Sequence, residues 1–307
     1  MTIGKPKNKR DETLREQMSD TLLRRILIWP ALIYMIIVTQ VPLLFTLRFS
    51  LERWNMNRPD RRGFTGFDNY IDVITDDSFW EIIRITGILT GAVVIITFLL
   101  GLTLALMLNR DFPGRGVVRT MLITPFLIMP TVSAVVWKNV LLDPSFGFIS
   151  KMVEAVGFAT PDFFGDFPLM SVVTIIVWQW TPFMMLILLA GLQSLSHEQL
   201  EAAQIDGASP FAILRAIVLP HLQRYIEIAV LMEILFILSV FGVIFITTSG
   251  GPGIQTTNLS YAIYDEAFSS RDIGDASTMG IYAIILANIV VALFVQVLRR
   301  GTDEIGV

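Results

Sequence analysis

The sequence of 307 residues has no cysteine and only two histidines, His197 and His221. The absence of thiols excludes a disulfide framework, and two histidines alone do not make a His/Cys metal centre, so no metal site is expected. Charge is also scarce. Asp, Glu, Lys and Arg make up 16% of the chain, against about 25% in an average soluble domain. A soluble protein of this length needs a larger charged skin. A net charge of −4 argues against nucleic acid as a partner. The chain contains neither a G-x-x-x-x-G-K-[ST] phosphate loop nor a G-x-S-x-G nucleophile elbow.

What is abundant is apolar. Hydrophobic residues make up 53% of the chain, with 21 Phe and 6 Trp, and mean hydropathy is +0.64. Disorder is excluded by that composition, and a multi-span protein in contact with membrane lipid remains. Six stretches have the roughly 20 apolar residues that a helical span requires: Ile26–Leu47, Ile82–Met107, Val117–Leu142, Leu169–Leu192, Tyr225–Thr248 and Ser277–Leu298. The third holds Pro125 and Pro130, and the fifth holds Glu227 and Glu233. Both are expected to be helical, because only helices and closed barrels satisfy their backbone in lipid, and strand-like alternation is absent. The expected fold is therefore all-α and integral to the membrane. It has a tail over residues 1–25, a six-span domain over 26–298 and a second tail over 299–307.

The N-terminal tail, the 109–119 turn, the 193–224 loop and the C-terminal tail together hold about twice as many Lys and Arg as the opposite loops, which places both termini on the cytoplasmic side. Trp29-Pro30 does not form a small-residue cleavage site, so no signal peptide is expected. The segment Arg48–Trp80 reads as a folded outer element, and Asp143–Pro168 as short elements punctuated by Gly and Pro. Residues Arg10–Arg25 carry Leu14, Met18, Leu22 and Leu23 at helical spacing, which fits either a helix on the inner membrane surface or a solvated lead into the first span.

The 193–224 loop carries helix signals of its own. Ser196 and Gln199 have the form of a capping box, and Glu198 and Glu201 fall in the first turn, where the helix dipole favours negative charge. Asp206-Gly207 breaks that helix. Ser209-Pro210 starts another, with Ser at the N-cap and Pro at the first helical position. Phe211, Leu214 and Val218 then share a face, and Pro220 ends the helix. Two short helices joined by a tight turn are expected to project from the membrane, as a docking element or as a plain connector.

The residues decide between those two readings. Glu201-Ala202-Ala203, then Gly207, then Ile217, Leu219 and Pro220 match the EAA-x3-G-x9-I-x-L-P loop at every position. The chain thus resembles the permease subunits of binding-protein-dependent ABC importers, in the carbohydrate branch. Phe241, Ile244, Thr247 and Gly250-Gly251-Pro252-Gly253 resemble the corresponding segment of sugar permeases, and Gly66-Phe67-Asp68-Asn69-Tyr70 also fits. The resemblance covers the chain from the first span to the last. It implies the type I importer permease fold, with a cytoplasmic coupling helix in the 193–224 loop. It further implies a second permease subunit, in sugar systems often a different chain, and two ATPase subunits that carry ATP and Mg. A periplasmic or extracellular solute-binding protein and a place in the bacterial inner membrane are implied as well. No cofactor would be bound by this chain. Glu201, Ala202, Ala203, Asp206, Gly207, Phe211 and Pro220 are the expected coupling residues. Glu201 would act through a salt bridge or a cap, and Gly207 through its turn.

Substrate contacts are sought among polar groups inside spans, which are costly there and therefore informative. The candidates are Trp178, Gln179, Thr181, Glu233, Ser239 and Asn288. Gln179 suits an inter-helix hydrogen bond as well as a pore. Glu233 must face a cavity, meet a partner or take a proton. Gly250, Gly251, Pro252 and Gly253 are candidates for contact with the binding protein. Lys138 is expected to snorkel to the outer interface. A self-contained channel or secondary transporter would also use six spans but leaves the matched loop unexplained. A membrane enzyme would need a concentrated polar centre that is not evident. Within the importer reading, a sugar, a polyol, a sugar derivative or a solute such as glycerol phosphate are all open as cargo.

Overall fold

The structure is a computed structural model that describes the backbone of residues 9–303 and the side chains of residues 28–294 and 296. The outermost parts of both expected tails, 1–8 and 304–307, lie outside the described residues, as do the side chains of Arg10–Arg25. Helix α1, Lys9–Ser50, passes through Pro30 and Pro42 without a break near residue 25.

The segment that follows, expected on the outer side, is folded. A two-stranded antiparallel hairpin, β1 (Glu52–Arg53) and β2 (Gly63–Phe64), is followed by α2 (Asp68–Thr75). The buried Asn69 fastens it to the first span by donating to the carbonyls of Ser50 (3.0 Å) and Glu52 (2.9 Å). Arg62 stacks on Trp54 at 3.8 Å and pairs with Glu52 at 2.9 Å.

Helix α3, Asp77–Leu108, is capped by Asp76, whose side chain accepts from the Ser78 amide. Then come α4 (Arg115–Leu127), α5 (Pro130–Val136) and a π-turn at Trp137–Leu141. The short helices α6 (Phe148–Ala155) and α7 (Phe163–Asp166) occupy the expected punctuated segment. Helix α8, Pro168–Gln193, packs along α3 to form the centre of the molecule, around Leu89, Val93, Ile175, Ile176, Met184, Met185 and Leu188. Next are α9 (His197–Ile205), α10 (Pro210–Ile213), a π-turn at Leu214–Val218 and α11 (Leu219–Leu238). The chain closes with α12 (Gly242–Thr247), α13 (Leu259–Asp265) and α14 (Ile273–Asp303), the last packed beside α1.

Among the described residues four helices are long and apolar enough to cross a membrane: Ile28–Ser50, Asp77–Leu108, Pro168–Gln193 and Ile273–Phe294. The other two expected spans are not continuous. Val117–Leu142 is bent by 99° between Leu127 and Pro130, and becomes a fifth span if the bent pair counts as one. The cause is local: Pro130 has no amide hydrogen and opens a new helix, which drives the preceding Met129 into extended backbone (ψ 136°). Tyr225–Thr248 divides into α11 and α12 at Ser239–Phe241.

Both breaks strand carbonyl oxygens that lipid cannot satisfy, and side chains from elsewhere supply the donors. Gln179 Nε2 on α8 reaches the Ile128 carbonyl at 2.8 Å. At the second break Asn258 Nδ2 donates to the Val240 carbonyl (2.5 Å) and Ser260 Oγ to the Leu238 carbonyl (2.8 Å). Lys138, expected to snorkel to the outer interface, is half-buried and its ammonium donates to the Ile246 carbonyl at 2.9 Å, in the last turn of α12.

Candidate functional site

Two sites emerge, one in the 193–224 loop and one between the two helix breaks. In the loop, Ser196 holds the N-cap position of α9, but its side chain makes no capping hydrogen bond, so the expected capping box is not formed. The other end of α9 is well specified. The Gly207 amide donates to the Gln204 carbonyl (3.1 Å) and the Ala208 amide to the Ala203 carbonyl (3.0 Å). With Gly207 at φ +78°, this is a Schellman turn, in which glycine takes the left-handed position without steric cost. Ser209 then caps α10, its hydroxyl accepting from the Ala212 amide at 3.2 Å. The two-helix element expected from Gly207 and Ser209-Pro210 is present.

Pro220 does not end that helix. It lies in the first turn of α11, and the chain runs on from α10 through the π-turn into α11. Proline removes an amide donor and crowds the carbonyl four residues back. The wider π-turn, in which the Leu219 amide reaches back to the Leu214 carbonyl, accommodates it. Glu201 is exposed and its side chain makes no ion pair or hydrogen bond among the described residues; Ala202 is also exposed and Ala203 is half-buried. The loop presents apolar residues outward: Ile205 is 86% exposed and Phe211 is 71% exposed. Phe211, Leu214 and Val218 do share a cleft of about 730 Å³, whose far wall includes Leu106 and Arg110 at the end of α3. His221 ties the base of the loop, its Nε2 lying 2.9 Å from Ser194 Oγ and 3.1 Å from the Gly191 carbonyl.

The second site is a cavity of about 410 Å³ between the breaks, lined by Pro130 and Thr131, by Gln179 and Trp180, and by Phe236 and Ser239–Val243. Irregular backbone at membrane depth is tolerated where it is buried in protein or lines a cavity, and broken helices are where transporters place such cavities. Two of the residues expected on a pathway, Gln179 and Ser239, meet here. Others do not. Trp178 packs edge-on against Trp137 in the core. Thr181 is buried, its hydroxyl donating to the Val177 carbonyl of its own helix. Asn288 is exposed on α14 and bonds to its own Ile284 carbonyl. Glu233 is fully buried on α11 beside Thr97 of α3, does not line this cavity, and among the described residues neither carboxylate oxygen has a hydrogen-bond partner.

Trp180, weighed from the sequence as a packing or interface residue against a sugar platform, lines the cavity. Phe236, also on the wall, and Phe183 and Phe126 behind it were not singled out; the four rings form a cluster with centroids 5.1–5.7 Å apart along its closest pairs. They come from three helices, and no local spacing joins them. Asn258 and Ser260 lie in an unremarkable polar stretch. The one available signal was the pair of prolines at 125 and 130.

The Gly250–Gly253 turn is built around Gly250, whose φ is +81° and where a Cβ would meet Tyr261 and Thr257 at 2.6 Å. Thr256 and Thr257 hydroxyls donate to the Gly251 and Gly250 carbonyls, each at 3.1 Å, leaving Pro252 and Gly253 exposed at the tip. Nearby, Glu266, Asp272 and Asp275 bring carboxylate oxygens within 4.8 Å of one another. Burial pushes the Glu266 carboxyl above its usual range, against a hydrogen bond from Ser270, and the neighbouring Asp272 and Asp265 add to the rise.

Residues 97–304 match the family described as binding-protein-dependent transport system inner membrane component. The probable ABC transporter permease protein y4oQ of Sinorhizobium fredii is 36% identical over 89% of each chain. The trehalose/maltose transport system permease protein MalF of Thermococcus litoralis is 31% identical over 95% of this chain and 98% of its own. Among solved structures, a chain of a bacterial ABC transporter that imports the acidic polysaccharide alginate superposes with a TM-score of 0.80 at 23% identity. The match covers 94% of this chain and 99% of that one, and the two share a fold. A projecting two-helix loop, a cavity between broken spans and these matches agree, and the chain belongs to the family of binding-protein-dependent transport system inner membrane components.

Proposed function

We propose that this chain forms one half of the translocation pathway of an ATP-driven importer for a sugar, polyol or sugar derivative. The observation that carries the reading is the rigid α9–α10 element, with Ile205 and Phe211 held outward on either side of the Gly207 turn. An exposed apolar pair on a loop fixed at both ends is suited to a partner's cleft. In this reading the 193–224 loop is the coupling helix. Glu201, Ala202, Ala203, Asp206, Gly207 and Phe211 face an ATPase subunit, and Pro220 joins the loop to α11. ATP and Mg are held by two such subunits, because permease subunits of this family have no ATP site of their own. A second permease chain, different from this one, completes the pathway. The protein has six spans, of which the third and fifth are the broken ones, and both termini are cytoplasmic.

The cavity at Gln179 and Ser239 forms part of the path, and its aromatic wall of Trp180 and Phe236 offers faces for a sugar ring. The Gly250–Gly253 tip faces the solute-binding protein. A saccharide cargo is supported by relatives whose names specify trehalose and maltose.

The test is reconstitution of the chain with its ATPase, partner permease and binding protein, followed by uptake of labelled trehalose and maltose. Uptake that requires both ATP and the binding protein is expected, with the ATPase co-purifying and Phe211→Glu releasing it. Solute flux through the chain alone without ATP would instead identify a channel.

A further inference from the structure

Helix α6 has eight residues and three distinct faces, because successive side chains are turned by about 100°. Ile149 and Ser150 point into the molecule: Ser150 is buried, and Ile149 packs on the main core. Lys151 and Glu154 pair at 2.7 Å on a second face and are exposed. On the third face Phe148, Met152 and Val156 follow one another at intervals of four, and are 63%, 56% and 74% exposed. Phe146 before the helix and Phe158 after it are 68% and 69% exposed as well. So many large apolar side chains on one short connection do not belong in water.

The position of α6 selects what covers them. The segment leaves one helix at the buried Leu142 and enters α8 at the buried Pro168, so both its ends are fixed to helices of the membrane domain. Next to these anchor points the helices expose apolar residues of their own, Val140 and Met170. The strip on α6 lies in the same connection between these exposed apolar residues, with the Lys151–Glu154 pair turned to another side. A helix with one apolar side, one charged side and a tether at span ends is suited to the boundary between headgroups and acyl chains.

We propose that α6 is an interfacial anchor. It lies in the membrane surface opposite the α9–α10 loop, with Phe148, Met152 and Val156 sunk among lipid chains and the ion pair facing water. Its packing against the π-turn at Trp137–Leu141 fixes the far end of the α5 segment, and with it one wall of the cavity. The proposal rests on the reading that the long helices span the bilayer.

The chain has no cysteine, so single-cysteine variants of the full chain report cleanly. Met152→Cys, Phe148→Cys and Lys151→Cys are each labelled with an environment-sensitive fluorophore in liposomes containing doxyl-labelled phosphatidylcholine. Leu99→Cys, on an exposed face of α3, serves as the reference inside the bilayer. Labels at 152 and 148 are expected to be quenched on the order of threefold more than the label at 151, whether or not the solute-binding protein is present. Equal quenching at 152 and 151, with 99 quenched, overturns the proposal and leaves the spanning reading intact. Shielding at 152 only when the binding protein is added overturns it in favour of a protein contact. Absence of quenching at 99 as well overturns both.

Discussion

Gly250 and Gly253 make a controlled pair at the residue scale. Both have positive φ, +81° and +59°, but only at Gly250 would a Cβ collide with neighbours. The backbone term is about 1–2 kcal/mol for an L-residue in the left-handed region. Gly253→Ala should therefore cost about that much, and Gly250→Ala clearly more, because the Tyr261 ring and Thr257 must move. Thermal unfolding in detergent reads the difference; equal losses at the two positions would mean that the 2.6 Å contacts relax freely. Gly207 was legible in the sequence because a left-handed helix stop is a local event. Glu201 shows the limit of the same reasoning. Its first-turn position was evident, but among the described residues it has no intramolecular ion pair or cap, so its partner is sought on another subunit.

At the scale of elements, two helices are broken and the breaks are held by borrowed donors. Asn258 has two duties: its Nδ2 donates to the Val240 carbonyl, and its Oδ1 caps α13 by accepting from the Tyr261 amide. Asn258→Asp keeps the cap and loses the donor. It should destabilise the protein by about 1–3 kcal/mol, the cost of an unsatisfied buried carbonyl, and Asn258→Ala by more. A drop in melting temperature for Ala but none for Asp would assign the whole effect to the cap. The sequence could not display these bonds. Prolines at 125 and 130 mark a bend, but the bond of Gln179 to Ile128 and that of Lys138 to Ile246 join separate helices, and hydrophobic periodicity holds no record of such partners. The π-turn ahead of Pro220 was hidden for a similar reason, since a proline reads locally as a stop.

The carboxyl cluster of Glu266, Asp272 and Asp275 has a sign of its own with pH. The Glu266 carboxyl is raised in the folded state by burial and by Asp272, so the native protein binds a proton more readily than the unfolded chain. Stability should rise as pH falls from the folded value towards the ordinary carboxylate range. Glu266→Gln should be more stable than the parent at pH 7, with the gap closing on acidification. A gap that widens as pH falls would show that Glu266 is instead held charged by the fold.

At the scale of the whole molecule, composition alone identified a multi-span protein, and one matched loop identified its family. Four spans were placed nearly to their ends because they are apolar throughout. The third and fifth were misread as continuous, and their interruption is what creates the cavity at Gln179 and Ser239. The scarcity of charge sharpened into a pattern: among the described residues the ion pairs gather on the hairpin segment after α1, at the start of α3, ahead of α4 and on α6. If the cavity is the path, Ser239→Trp should fill it and stop uptake while leaving ATPase activity in place. Unimpaired uptake would move the path elsewhere.

The central claim is that the Gly207 turn couples ATP hydrolysis in a partner to movement of solute through this chain. The most direct measurement records ATPase rate and solute uptake together, in proteoliposomes holding the assembled importer, for the parent and for Gly207→Val. Nothing lies within 4 Å of a Cβ at this position, so the substitution strains the turn without disturbing the core. The account predicts that the parent hydrolyses ATP and imports solute together, and that uptake per ATP falls on the order of tenfold in the variant. Unchanged uptake per ATP in a fully assembled variant would contradict it.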